Sequence, residues 1–332
     1  MPGNVKKRIL SGMRPSGKLH LGNLFGALSN WVKLQDQYEC YYMVADWHAL
    51  TTDYKDTKNI KDNTREMVID WIASGLDPAR SVMFLQSKVP EHAQLHLILS
   101  SFTPVAWLQR CPTYKEQLQQ LTDRQLNTYG FLGYPVLQAA DILLYNATAV
   151  PVGEDQLPHL ELTREIARRF NQFYGNILLE PKALLTKVPR LLGTDGRKMS
   201  KSYDNCIYIS DDDRTVLKKV KTFITDPQRI KADDPGHPEV CSVFDYYGVF
   251  YPQKEAIGEI EKKCRKGENG CVDCKKKLSE CLLKLLEPVH ERRKELEKTP
   301  GVIDEILCEG NKKAQKEAAK ILSRIKEAMK LE

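Results

Sequence analysis

Apolar positions along the chain fall into two regimes. Over roughly the first two hundred residues, short apolar runs alternate with longer stretches of helical spacing. "RILSGM" has strand character and runs into a Gly/Pro/Ser turn, after which "LHLGNLFGALSNWVKLQ" has the helix period. "ECYYMVADWHALT" predicts a buried strand, "TREMVIDWIASG" a helix stopped by glycine, and "SVMFLQS" a further strand. Strands alternating with helices predict a parallel α/β sheet. "EHAQLHLILSSF" and "YKEQLQQLTDRQLN" interrupt it as a helical insertion, about 88–130, before a helix, a short strand and a helix resume through "YPVLQAADILLYNATAVPVGEDQLPHLELTREIARRF". Beyond residue 206 strand signal gives way to amphipathic helix, ending in a segment with Ala318, Ile321, Ile325 and Met329 on one face. The expected organisation is an α/β domain over 1–205 and an all-α domain over 206–332, with the last helix packing back on the first domain.

Composition adds bounds. A chain of 332 residues suits two domains, and 42% hydrophobic with 28% charged residues is the balance of a globular protein. No long apolar run and no secretory leader pattern occur, so a cytoplasmic protein without membrane association is expected. Nine cysteines are an odd count for a disulfide framework. The net charge of +6 is modest, but Lys262, Lys263, Arg265, Lys266, Lys275, Lys276 and Lys277 crowd one stretch, which suits RNA, although most charge runs are only solvated faces.

Two loops suggest phosphate chemistry. In "PSGKLHLGN", Gly17 and Gly22 let backbone approach a ligand ahead of a helix N-terminus, with His20 and Asn23 as added donors. In "KMSKS", Lys198 and Lys201 can reach one polyphosphate while Ser200 and Ser202 offer hydroxyls, and Gly193 and Gly196 would let that loop (193–205) swing. Each loop alone is more often a plain turn. Together, in an alternating α/β domain, they favour nucleotide binding.

"HLGN" and "KMSKS" on this layout resemble the two signatures of class I aminoacyl-tRNA synthetases. With "SGMRPSGKLHLGN", "VADWHALT", "YPVLQAADILLY" and "VPVGEDQ" in order, nearly the whole chain resembles the family's tryptophanyl members. The resemblance implies a Rossmann-like catalytic domain, a helical domain that reads the tRNA anticodon, and a homodimer. It implies attack of the L-tryptophan carboxylate on the α-phosphate of ATP, with Mg²⁺, to give the adenylate, then transfer to tRNA(Trp); DNA is not an expected partner. The tyrosyl sister enzyme and a non-catalytic nucleotide- or RNA-binding paralogue are the alternatives, and the latter commonly loses signature residues that this chain keeps.

By the same resemblance, Arg14, His20, Gly22, Asn23, Gly153, Asp155, Lys198, Met199, Ser200 and Lys201 would face ATP, and Lys115 its phosphates. On "YPVLQAADILLY", Tyr134, Gln138 and Asp141 share one helix face. A carboxylate among apolar residues needs a donor, and an indole N–H is one, as is a tyrosine hydroxyl. The resemblance assigns Asp141 to the indole nitrogen, Tyr134 and Gln156 to the substrate's amino and carboxylate groups, and His48 to the pocket from the end of its strand. The first signature lacks the final histidine of the broader class, Arg14 stands where many tryptophan enzymes carry glutamine, and Gln138 where some carry methionine.

Cys241, Cys264, Cys271 and Cys274 lie in the lysine-rich part of the helical domain, the last two as C-x2-C. Four thiolates suit zinc or an iron–sulfur cluster. The resemblance, to a bacterial subset with this spacing, implies a [4Fe–4S] cluster that fixes a basic surface against tRNA, with zinc the fallback.

Overall fold

The computed structural model describes residues 7–111, 128–185, 191–251 and 254–332. Lys115 and the segment "YKEQLQQLTDRQLN" lie outside them. Contacts gather the chain into two compact units, one of Met1–Gly17, Asn30–Lys187 and Thr299–Glu332, the other of Lys18–Ser29 and Val188–Lys298. A single cut at 205 would place 18–29, 191–205 and the last helix in the other unit.

The first unit holds a five-stranded parallel sheet in the order β3-β2-β1-β4-β5, with β1 Arg8–Met13, β2 Glu39–Val44, β3 Ser81–Leu85, β4 Ala149–Val152 and β5 Lys182–Leu185. Five of the six residues of β2 are buried, as expected of a strand covered on both faces. Gly12 lies opposite Met43 of β2, and a Cβ there would lie 2.6 Å from the Met43 carbonyl oxygen. The strand β5 was not anticipated; "KALL" is four residues long and half-exposed, too short to reveal a period.

Helices connect the strands. They are α1 Leu21–Asn23, a π-helical stretch Leu24–Leu28, α2 Ser29–Leu34, α3 Asp46–Asp53, α4 Ile60–Ala73, α5 Glu91–Ser100, α6 Val105–Gln109, α7 Tyr129–Leu144 and α8 Leu157–Tyr174. The helices α9 Asp213–Lys221, α10 Ser242–Phe250, α11 Lys254–Arg265, α12 Cys271–Lys298 and α13 Val302–Ala328 follow β5. None is long and apolar enough to cross a membrane.

An edge strand with unpaired backbone groups invites misassociation, and α13 covers the edge at β3. The backbone N–H of Leu85 donates to Asn311 Oδ1 at 2.9 Å. Gly310 lies so close that a Cβ on it would stand 1.7 Å from the Met83 carbonyl oxygen, which makes any side chain there incompatible with this packing. Ala318, Ile321 and Ile325 are buried, and Met329 packs against the same core.

In the second unit, backbone bonds Leu21 N–H to Ile207 O (3.0 Å) and Ile209 N–H to Leu19 O (2.8 Å) lay residues 19–21 antiparallel to 207–209. Leu278, Leu282, Leu286 and Val289 form the buried stripe of α12, at the spacing of one helix face. Phe25, Phe223, Tyr246 and Phe250 make a chain of ring contacts 4.3 to 5.3 Å between centroids.

Candidate functional site

The functional residues occupy a cluster in each unit. In the first, α7 carries Tyr134, Gln138 and Asp141 at successive turns, with Asp141 buried and the other two half-buried. Asp141 Oδ1 accepts from Gln86 Nε2 at 2.8 Å and meets His92 Nδ1 at 2.6 Å; Oδ2 meets His48 Nε2 at 2.7 Å. Burial by itself would raise this carboxyl. The charge and hydrogen bond of His48 and the bond from His92 outweigh it and hold Asp141 below the ordinary carboxylate range, so it is ionised at neutral pH.

His48 does not project from a strand end. β2 stops at Val44 and Ala45 caps a new helix, so His48 lies in the first turn of α3, with its backbone N–H donating to Gln86 Oε1 at 3.4 Å. Tyr134 is oriented by a residue with no sequence motif: its hydroxyl is 2.8 Å from His159 Nε2, while His159 Nδ1 lies 3.4 Å from Cys111 Sγ. Burial lowers His159 to about 4, so the ring is neutral, and burial likewise raises the Tyr134 phenol. Gln156 Nε2 donates to Asp155 Oδ2 at 3.1 Å, and a Cβ at Gly153 would stand 2.6 Å from Asp155 Oδ1. Arg14 Nη1 donates to Thr52 Oγ1 at 3.4 Å.

The second cluster brings the two signature stretches together. The His20–Tyr208 bridge sets "HLGN" beside the "KMSKS" loop, and Asn23 Oδ1 accepts from the His20 backbone N–H at 3.0 Å, closing the first turn as a cap. Gly22 has a local reason: a Cβ would lie 2.9 Å from the His20 ring and 3.9 Å from Met199 Sδ. Burial, then the Lys201 ammonium, lowers His20 to about 4, so its neutral imidazole is available as a hydrogen-bonding group. Met199 is buried and Lys198 exposed. The loop is closed by Asn205, which sequence reasoning passed over. Its Oδ1 accepts from Ser200 N–H at 2.8 Å, and its Nδ2 donates to Asp195 Oδ1 at 2.7 Å and to the Lys198 carbonyl at 3.2 Å. Gly193 makes room for this contact, because a Cβ on it would stand 2.2 Å from Asn205 Nδ2. Gly196, at φ +76°, takes the left-handed turn.

Cys241, Cys264, Cys271 and Cys274 are half-buried and free. Burial, then the neighbouring Cys271 and Cys264 thiols, raises Cys241 against backbone hydrogen bonds that lower it; burial and the other three thiols raise Cys274 to about 11, so the four sulfurs lie within electrostatic reach of one another. No three His, Cys, Asp or Glu among the described residues converge as a single ion requires. A tetrahedral zinc with bonds of about 2.3 Å would draw its sulfurs to about 4 Å apart, whereas in an iron–sulfur cubane each thiolate binds a different iron. The surroundings fit an anionic group: Arg229 Nη1 is 3.8 Å from Cys271 Sγ, its Nε is buried without a partner, and a Cβ on Gly236 would fall 2.5 Å from Cys264 Sγ.

With this geometry in view, comparison with known proteins gives a consistent result. The family model for class I tRNA synthetases (W and Y) matches residues 3–287. The chain is 50% identical to a tryptophan–tRNA ligase of Thermotoga maritima, covering 98% of this chain and 99% of that one. It is 47% identical to one of Aquifex aeolicus, covering 98% and 100%. The crystal structure of tryptophanyl-tRNA synthetase from Campylobacter jejuni complexed with ADP and tryptophan superposes with a TM-score of 0.87 at 36% identity, over 97% of this chain and 99% of that one. The chain belongs to the class I tRNA synthetases of the W and Y family and is an aminoacyl-tRNA synthetase. Within that family the relatives named above are all of the tryptophan type.

Proposed function

We infer that the chain is a tryptophan–tRNA ligase, which joins L-tryptophan to ATP as the adenylate with release of pyrophosphate and then passes tryptophan to the terminal adenosine of tRNA(Trp). The observation that carries discrimination against phenylalanine is the ionised, buried Asp141, and the choice of tryptophan over tyrosine is supported by the tryptophan-type relatives. An indole N–H donates and cannot accept, so a carboxylate fixed as an acceptor is its natural partner. Phenylalanine would leave the acceptor direction that the protein keeps open on this carboxylate without a donor, a penalty that rejects it without an editing step.

The residues then divide the work. Tyr134 and Gln156 hold the amino and carboxylate groups, His48 and Gln138 complete the pocket, and Arg14, Gly153, Asp155, His20, Gly22, Asn23 and Met199 receive ATP. Lys198, Lys201 and Ser200 stabilise charge on the departing pyrophosphate, with Lys115 a further proposed phosphate ligand. ATP arrives with Mg²⁺, which offsets phosphate charge. No covalent enzyme intermediate is needed, because positioning and charge stabilisation suffice.

The four cysteines are proposed to hold a [4Fe–4S] cluster, with zinc the fallback, and the Arg229 guanidinium beside Cys271 supports an anionic group there. Bound there, the cluster would cross-link Cys241, at the start of α10, with α11 and α12. Helices α11 and α12 carry Lys262, Lys263, Lys275, Lys276 and Lys277, a basic surface suited to the tRNA anticodon arm. The apolar Leu97, Val105, Tyr129 and Phe173 left exposed on α5 to α8 are consistent with a homodimer. A cytoplasmic location follows from this role in translation. The test is aminoacylation of tRNA(Trp) and tRNA(Tyr) transcripts by the purified protein: charging of tRNA(Trp) with tryptophan alone is expected, and charging of tRNA(Tyr) with tyrosine would overturn the reading.

A further inference from the structure

The two oxygens of Asp141 are not equivalent. An ionised carboxylate offers about four acceptor directions, about two on each oxygen. Oδ1 takes two protein donors, Gln86 Nε2 and His92 Nδ1. Oδ2 has one partner among the described residues, His48 Nε2. Oδ1 is thus filled, and Oδ2 keeps a direction for a ligand's N–H.

His92 is 0% exposed, as is Tyr145, whose hydroxyl stands 2.8 Å from His92 Nε2. Among the described residues that nitrogen is the hydroxyl's one hydrogen-bond partner. Burial holds the Tyr145 phenol protonated. Its proton must therefore point at Nε2, which has to be bare to accept it. With Nε2 bare, the ring's N–H sits on Nδ1 and is aimed at Asp141 Oδ1. The ring has no freedom to turn away, because it packs against Phe84 and Tyr145 with centroids 6.0 and 5.5 Å away.

We propose that His92, set by Tyr145, is a specificity-determining positioning residue: by saturating Oδ1 it keeps Asp141 an ionised acceptor and directs recognition of the indole N–H to Oδ2. The proposal deepens the assignment of Asp141 to the indole nitrogen and rests on it. His92 acts through Asp141 and has no part in holding ATP, so its loss changes the value of the ligand's N–H and little else. His92 belongs to no sequence signature, Tyr145 closes the stretch "YPVLQAADILLY", and the chain "Tyr145 O–H, His92, Asp141" exists only once α5 and α7 pack together.

The experiment measures ATP–pyrophosphate exchange with L-tryptophan and with L-3-benzothienylalanine, which keeps the bicyclic shape but has sulfur in place of N–H. It compares wild type with His92→Leu, which removes the donor at similar bulk, with His92→Asn, whose amide can reach the place of Nδ1, and with Tyr145→Phe. A hydrogen bond to a charged group is worth enough that His92→Leu should raise the KM for tryptophan about 10- to 100-fold. KM for ATP and for the sulfur analogue should stay within about threefold, the pattern of a lost interaction specific to one ligand group. The wild-type preference for tryptophan over the analogue should collapse in His92→Leu, return largely in His92→Asn, and weaken in Tyr145→Phe.

An equal rise in KM for both amino acids and for ATP, or a well-folded His92→Asn that restores nothing, would overturn the proposal. If His92→Leu does not fold, Tyr145→Phe decides, and an unchanged preference in it overturns the proposal. A wild type that prefers tryptophan no more than the analogue would reject Asp141 as the indole acceptor and this proposal with it. A wild-type preference that His92→Leu leaves intact would reject the role of His92 alone.

Discussion

The backbone N–H of Ser200 donates to the side chain of Asn205 at 2.8 Å, and the same amide holds Asp195 and the Lys198 carbonyl. One buried side chain thus fixes the shape of the loop that presents Lys198 and Lys201. Buried amides with this many partners are costly to remove, since each partner is left unsatisfied. Asn205→Ala should lower kcat for ATP–pyrophosphate exchange about tenfold or more while tryptophan binding, followed by equilibrium dialysis, stays within about twofold. Gly193→Ala should act in the same direction, because its Cβ would displace Asn205. Equal loss of tryptophan binding in both variants would count against a role confined to the loop.

Lys201 lies near enough to His20 for its charge to lower that imidazole. Removing a cation aimed at developing charge commonly costs about 10²- to 10³-fold in kcat. Lys201→Ala should show such a loss in single-turnover adenylate formation with tryptophan affinity unchanged. Weaker tryptophan binding with intact adenylate formation would contradict this role.

His20 and His159 both have pKa values lowered to about 4, mainly by burial. A group that binds its proton less readily when folded contributes stability that is fully present above its unfolded value of about 6.5 and is lost as pH falls toward its folded value. Unfolding free energy from urea titrations should therefore decline between pH 7 and pH 4, and less steeply in His159→Asn. An identical pH slope in that variant would mean that His159 is not held neutral.

Cys271→Ser should remove iron from anaerobically purified protein and lower the melting temperature of the holo form by several degrees, about the effect of losing one or two kcal/mol in a chain of this size. Tryptophan-dependent exchange should fall less than tRNA charging, because Cys264, Cys271 and Cys274 lie on α11 and α12 with the lysines proposed to face tRNA, whereas Asp141 and the "KMSKS" loop lie on other elements. Iron retained at full occupancy in the variant, by inductively coupled plasma analysis, would exclude Cys271 as a ligand.

Legibility in the sequence followed the strength of local signals. The strands β1, β2 and β3 carry apolar runs bounded by turns, and α7 carries a helix period, so the sheet's first half and the shared face of Tyr134, Gln138 and Asp141 could be read directly. β5 could not, because four half-exposed residues have no period. His48 was placed on the wrong element because "VADWHALT" continues the apolar run of β2, whereas Ala45 breaks the extended geometry at φ −87°, ψ 66°. His92, Gln86, Tyr145 and His159 escaped for a different reason. A buried histidine in an amphipathic helix looks like core until tertiary packing shows which polar atom it faces. Asn205 had a visible place three residues past a signature, but nothing local indicates that its amide turns back onto that loop.

The measurement that bears most directly on the central claim is ATP–pyrophosphate exchange with tryptophan, tyrosine and phenylalanine, run on wild type and on Asp141→Ala. Exchange with tryptophan is expected, with phenylalanine at least about a thousandfold poorer in kcat/KM because it leaves an acceptor direction of a buried carboxylate without a donor. In Asp141→Ala the advantage of tryptophan over phenylalanine should shrink by about 10- to 100-fold. Exchange that tyrosine supports as well as tryptophan does, or a tryptophan advantage untouched in Asp141→Ala, would contradict the assignment of this carboxylate and of the amino acid it selects.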